Sequence, residues 1–224
     1  MEAEFIETML LTFELASITT LILLFISIPL AAFLVFTKTR FKSIVETIVS
    51  MPLVLPPSVL GFYLLLAFSP ASFIGEFLTS HGIRLAFSFE GLVIGSVLFS
   101  LPFMVHPIQS ALSQVPRSIF EAAYTLGKSK LTTLVRVILP LIRHGLISGI
   151  VLAFAHTVGE FGVILMIGGN IPDETRVASI AIYDEVESLN YAMAHQYALT
   201  LFIVTFSILL LVYTLNKKSL EGLK

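Results

Sequence analysis

The sequence predicts an all-α integral membrane protein with five transmembrane helices, and three observations predict it. The 224 residues are 56% hydrophobic and only 12% charged, whereas soluble domains carry about 25% charged residues. A soluble fold of this size could not hide so much apolar surface from water, so the excess faces lipid. Five stretches, residues 10–36, 44–69, 91–113, 141–168 and 196–215, each supply the about 20 largely apolar residues that a helix needs to cross a hydrocarbon core. Eleven of the thirteen lysines and arginines fall on one side once five crossings are counted, as the positive-inside rule requires.

Composition also excludes. A net charge of −2 carries no basic footprint for nucleic acid. The absence of cysteine rules out disulfides, thiolate metal sites and a cysteine nucleophile.

Along the chain, residues 1–9 read as an acidic outer tail (Glu2, Glu4, Glu7). They lack the positive start of a secretory signal, so the first apolar stretch is expected to stay as an anchor. Lys38, Arg40 and Lys42 follow it. The second stretch carries Pro52, Pro56 and Pro57 and is expected to break or kink. Residues 71–80 are too short to span. The third stretch is followed by the longest basic loop, residues 114–140, with Arg117, Lys128, Lys130 and Arg136. The fourth opens beside Arg143 and leads to an acidic loop with Asp173, Glu174, Asp184, Glu185 and Glu187. The fifth leads to a tail, residues 216–224, with Lys217, Lys218 and Lys224. This distribution predicts an outer N-terminus and a cytoplasmic C-terminus. Gly91-x-x-x-Gly95 and Gly145-x-x-x-Gly149 allow close helix approach, either within the subunit or at an interface.

Within the basic loop, Ser118-Ile119-Phe120-Glu121 has the S-x-x-E spacing of a capping box. Gly127 suits the left-handed position that ends a helix. A helix of about eight residues between them would be marginal alone in water. Ile119, Ala122, Ala123 and Leu126 recur at helical spacing and predict one small apolar face. Two readings stand here: a loop helix lying on its own protein, or a knob inserted into a partner's groove.

Glu121-Ala122-Ala123, Gly127 four residues on, and then Val137-x-Leu139-Pro140 resemble the EAA signature of permease subunits of ABC importers. The spacing matches throughout; the one departure is Val137, where the pattern has isoleucine. The resemblance covers essentially the whole chain and implies the type I importer fold, with its five-helix core. It implies a second copy of the chain, two cytoplasmic ATPase subunits that hold ATP-Mg, and an extracytoplasmic binding protein, all assembled at a bacterial inner membrane. The short helix would dock into a cleft of the ATPase and pass its closure to the spans. The chain itself has no P-loop, so it is expected to hydrolyse no ATP and to carry no cofactor or metal.

Two further stretches narrow the substrate. Met51 to Ser58, with Pro56 and Pro57, resembles the proline-rich second span of oxyanion permeases. Gly159-Glu160-Phe161-Gly162, followed by Asn170-Ile171-Pro172-x-Glu174-Thr175-Arg176, is similar to the fourth span and outer loop of molybdate permeases. Sulfate permeases share the first of these runs. Molybdate is therefore the expected cargo, with sulfate, thiosulfate or tungstate as alternatives.

Glu160 is a functional candidate because a carboxylate within a span costs roughly 2.5–3.5 kcal/mol on insertion scales. A bare negative charge would repel a dianion, however, so Glu160 is expected to be a structural acceptor of backbone N–H groups in preference to a substrate contact, with His156 a candidate partner. Pro56, Pro57, Gly159, Glu160, Phe161 and Gly162 are the pathway or gate candidates. His106 and His144 are expected to serve packing or an interface. A membrane hydrolase would need a nucleophile with its base or H-E-x-x-H, and neither pattern is present. A secondary transporter would show paired repeats and coupling charges, and Glu160 is the one carboxylate well inside a span.

Overall fold

Lipid offers a backbone no hydrogen-bond partner, so an apolar chain of this kind must satisfy its own N–H and C=O groups in helices. The computed structural model describes residues 2–221 and contains twelve α-helices and no strand among them. In chain order these are α1 (Glu2–Phe36), α2 (Phe41–Ser50), α3 (Pro57–Phe68), α4 (Phe73–Ser80), α5 (Phe89–Ser113) and α6 (Arg117–Thr125). There follow α7 (Lys130–Thr133), α8 (Leu139–Leu141), α9 (Arg143–Val158), α10 (Gly162–Gly168), α11 (Ala178–Glu187) and α12 (Tyr191–Glu221).

Three of these helices, α1, α5 and α12, are long and apolar enough to cross a bilayer unaided, and two bent pairs bring the possible crossings to five. The expected second span is one such pair, Phe41–Leu53 and Pro57–Phe68, bent by 110°. Pro56 and Pro57 cannot donate to the preceding turn, so the helix stops and restarts there. The fourth stretch departs further from a single helix. Its first residue, Leu141, ends the segment Lys130–Leu141, which meets α9 at 77°. Its end is cut at Gly159–Phe161, where Phe161 adopts φ −130° and ψ −58°, before α10 resumes. The expected outer tail is helical from Glu2 onward, and α12 continues as helix through Glu221 into the expected C-terminal tail. Lys224 lies outside the described residues.

The packing centres on α5, which touches α1, α9 and α10. Of its most apolar 18-residue stretch 61% is buried, against 6% for α12, which therefore turns most of its surface outward. Leu23, Leu34, Met104, Ile108, Ile138 and Ala153 form the largest buried cluster, at the α6 end of α1. Burying a side chain of that size contributes about 1.5–3 kcal/mol where the alternative is water; inside lipid the gain comes from close packing. The two glycine pairs serve that packing inside the subunit. A Cβ on Gly145 would lie 2.4 Å from Ala111 Cβ, and one on Gly95 would lie 2.6 Å from Ile167 Cδ1.

Candidate functional site

The short helix of the basic loop begins earlier than the S-x-x-E pattern predicts. Pro116, with φ −59° and ψ 138°, is the residue that caps α6, and no side chain closes its N-terminus. Ser118 therefore lies inside the first turn, and the expected capping box with Glu121 is not formed. Proline sets φ in advance and lacks the N–H that would otherwise need covering, so it starts the helix by itself.

The other end follows expectation closely. Gly127 has φ +70°; its N–H donates to the Tyr124 carbonyl at 2.9 Å, and the Lys128 N–H donates to the Ala123 carbonyl at 3.0 Å. That bond pair is a Schellman termination. No atom lies within 4 Å of a Cβ built on Gly127, so backbone conformation rather than space demands glycine there.

The apolar face splits. Ala123 is buried, and Ile119 and Phe120 are partly buried against the main core; the Phe120 ring meets Phe36 edge-on with centroids 5.1 Å apart. Ala122 and Leu126, expected on the same face, turn outward with Glu121 and Tyr124, and Leu126 is 75% exposed. The helix thus lies on its own protein by one edge and presents the other. From it the chain runs through α7, which Ser129 caps by accepting from the Thr132 N–H at 3.2 Å. A π turn (Leu134–Ile138) then leads into α8. Pro140 offers no N–H to the Arg136 carbonyl, a cause of helical irregularity. Val137 and Pro140 are exposed, while Ile138 is buried and Leu139 packs on the core.

A second cluster forms where both broken stretches meet. Pro57 and Ser58 at the start of α3 face Gly159, Glu160, Phe161 and Gly162 across a cavity of about 580 Å³ that Phe99 and His156 also line. Pro56 stands at the N-cap of α3 beside it. Gly162 is required for the approach, because its Cβ would come within 2.7 Å of Pro57 Cβ. Phe161 packs on the Tyr183 ring at 5.1 Å.

Glu160 and His156 depart from expectation. His156 Nδ1 shares a hydrogen bond with Ser100 Oγ at 2.9 Å, and its ring stacks on Phe103 at 3.9 Å, so its partner is Ser100 rather than Glu160. Glu160 is 3% exposed, and neither carboxylate oxygen has a hydrogen-bond partner. The Ser96 hydroxyl lies near but outside bonding geometry. Glu160 therefore is not an acceptor of backbone N–H groups; its backbone carbonyl instead accepts from Ser179 Oγ at 2.5 Å. His106 pairs with Ser50 at 3.3 Å.

At the far end of α1, the Asn170–Arg176 run folds on itself. Thr175 Oγ1 donates to the Gly168 carbonyl at 2.7 Å and accepts from the Ile171 N–H at 3.1 Å. Asn170 and Pro172 are exposed. Glu174 accepts from Arg84 at 2.9 Å. Arg176 is 9% exposed and reaches three carboxylates, Glu4 at 2.7 Å, Asp184 at 3.1 Å and Glu185 at 3.3 Å. Its charge is consumed by these partners, so this run is a scaffold and Arg176 is not an open anion receptor. Sequence spacing missed Phe99 and Ala155 in the cavity lining and Ser100 behind His156; no local pattern sets them apart from other residues of apolar helices.

Comparison with known proteins adds the family. A family model described as the binding-protein-dependent transport system inner membrane component matches residues 23–220. The chain is 46% identical to the molybdenum transport system permease protein ModB of Azotobacter vinelandii over 205 residues, 91% of each chain. It is 34% identical to the sulfate transport system permease protein CysT of Synechocystis sp. over 176 residues, 79% of this chain and 62% of that one. A solved bacterial ABC transporter involved in the import of the acidic polysaccharide alginate superposes with a TM-score of 0.79 over 96% of this chain and 79% of that one, at 18% identity, a likeness of fold.

Proposed function

The chain belongs to the inner-membrane permease family of binding-protein-dependent ABC importers, and from that premise we propose that it forms the translocation pathway for molybdate. The observation that carries the cargo is the 46% identity, across 91% of both chains, to a molybdenum transport permease. The chain is a multi-pass inner-membrane protein and a transport subunit rather than an enzyme.

In this proposal a second copy completes the passage and an extracytoplasmic protein delivers the oxyanion. Two ATPase subunits on the cytoplasmic side hold ATP-Mg. The N-terminus lies outside and the C-terminus inside, in keeping with the basic loop and tail. The exposed edge of α6, with Glu121, Ala122, Leu126 and the Gly127 termination, is the docking element. Its support is geometric: a helix held on one edge by Ile119, Phe120 and Ala123 is rigid enough to transmit a push, and α7 and α8 tie it to α9. Movement of α9 would alter the break at Gly159–Gly162 and with it the cavity against Pro57. That cavity, at the meeting of two interrupted helices, is the proposed gate, since irregular backbone at membrane depth belongs where protein or a water-filled passage covers it.

Uptake of labelled molybdate by cells carrying or lacking the gene tests the cargo, with unlabelled sulfate as competitor. Molybdate uptake that disappears with the gene and resists sulfate is the expected result. A gene-dependent uptake of sulfate with molybdate unaffected moves the assignment to sulfate, the reading that the 34% identity to a sulfate permease supports.

A further inference from the structure

Where α1 ends, its last turn, α6 and α7 enclose a pocket of about 640 Å³; it shares Glu121 with the docking edge of α6, and its cations have no part in the transport cycle described above. Its floor is apolar and includes Phe36 and Phe120, and its rim carries Lys38, Arg117 and Lys130 with a single carboxylate, Glu121. None of the three cations makes an ion pair among the described residues. Three like charges gathered around one hollow repel one another, and that cost is offset when an anion sits between them.

We propose that this pocket holds the phosphate of an anionic glycerophospholipid. The apolar floor argues for a lipid over a free phosphate, because an inorganic anion gains nothing from Phe36 and Phe120. The wall above the pocket argues the same way. Leu21, Phe25, Phe33 and Phe36 form an outward stripe along α1, with Phe25 76% and Phe36 50% exposed, and this stripe descends to the pocket rim. An acyl chain lying on that stripe would deliver its headgroup between Lys38, Arg117 and Lys130. Basic pockets between helices at a membrane surface are suited to such headgroups. Charge complementarity is the second argument: three cations against one carboxylate favour an anionic lipid and give a zwitterionic one no comparable gain. The inference rests on the reading of the chain as a membrane permease and not on which oxyanion passes through it.

The test measures lipid and not transport, so failure of the cargo assignment leaves it unaffected. The assembled importer is extracted from bilayers of phosphatidylglycerol and phosphatidylcholine in equal parts, washed, and its retained lipid quantified by mass spectrometry. Wild type is expected to retain phosphatidylglycerol selectively. Each of Lys38→Gln, Arg117→Gln and Lys130→Gln should lower that retention by about fivefold, the equivalent of ~1 kcal/mol per basic group near an anionic surface. Arg117→Lys should keep most of it, and Lys42→Gln, a charge outside the pocket, should leave it unchanged. Arg117→Lys keeps the charge and so remains informative if a Gln variant does not assemble. Equal retention in wild type and the Gln variants overturns the proposal. So does binding of inorganic phosphate with no preference between the two lipids. Loss of the ATPase subunit from the Gln variants with lipid retention intact would overturn it too, and would assign the pocket to a protein partner.

Discussion

Arg176 Nη1 donates to Glu4 Oε1 at 2.7 Å across 172 residues of chain, closing the start of α1 against the loop before α11. The same guanidinium also holds Asp184 and Glu185. A cation in an oxyanion permease invites a role in substrate binding; three carboxylates on one buried arginine argue for a structural one.

Arg176→Gln is therefore expected to lower stability by about 1–3 kcal/mol. The figure is below the 3–5 kcal/mol of a fully buried pair because the Glu4 and Asp184 side chains remain 44% and 41% exposed. Thermal unfolding of the purified protein measures the loss, and Glu4→Gln in the same background should cost less than it does in wild type. Uptake per folded molecule should stay within about twofold of wild type. A variant as stable as wild type that no longer transports would return Arg176 to the pathway.

Gly127→Val should uncouple the importer. At φ +70° a side chain with a Cβ costs about 1–2 kcal/mol, so the Schellman termination is lost and the exposed edge of α6 is misplaced. Membrane insertion should survive, because the change touches no span. ATPase stimulation and uptake should both fall; wild-type values for both would defeat the proposed docking role. Disappearance of the protein from the membrane would instead make α6 a folding element.

Ser118→Ala and Glu121→Ala should separate capping from contact. Neither side chain caps α6, so each should change stability by less than about 0.5 kcal/mol. Glu121, exposed beside the proposed docking edge, should still weaken ATPase binding, and Ser118→Ala should not. A stability loss near the ~1 kcal/mol of a genuine N-cap in Ser118→Ala would restore the capping box.

Gly162→Ala and Gly159→Ala should differ sharply. The first places a Cβ 2.7 Å from Pro57 Cβ, while the second meets nothing nearer than 3.7 Å. Overpacking of the first kind costs about 1–3 kcal/mol and would push α3 from α10 across the cavity. Uptake and unfolding temperature should both drop in Gly162→Ala and stay near wild type in Gly159→Ala. Equal behaviour would mean that the two broken helices do not bear on each other as described.

Topology can be read with single cysteines, since the chain has none of its own. Asp184→Cys should react with an impermeant label in intact cells, and Lys128→Cys only after permeabilisation. Labelling of both from one side would refute the orientation and the crossing number proposed with it.

What was legible in the sequence is what neighbouring residues decide among themselves. The apolar stretches, the interruption at Pro56-Pro57 and the left-handed Gly127 follow from hydropathy, a missing N–H and a missing Cβ, each acting within a turn or two. The tertiary structure alone decided the rest. Five glycines in the fourth stretch could end a helix, but only the approach of α3 shows why the break falls at Gly159–Phe161 and why Gly162 must be small. Ser118 and Glu121 had the spacing of a cap, yet Pro116 had already begun the helix. His156 found Ser100 on α5 rather than Glu160 one turn away, and Ala122 and Leu126 turned outward once Phe120 docked against Phe36. Backbone conformation is set by short-range sterics that a linear pattern records; side-chain partners are chosen when segments remote in sequence come into contact, and the spacing along one helix carries no record of that choice.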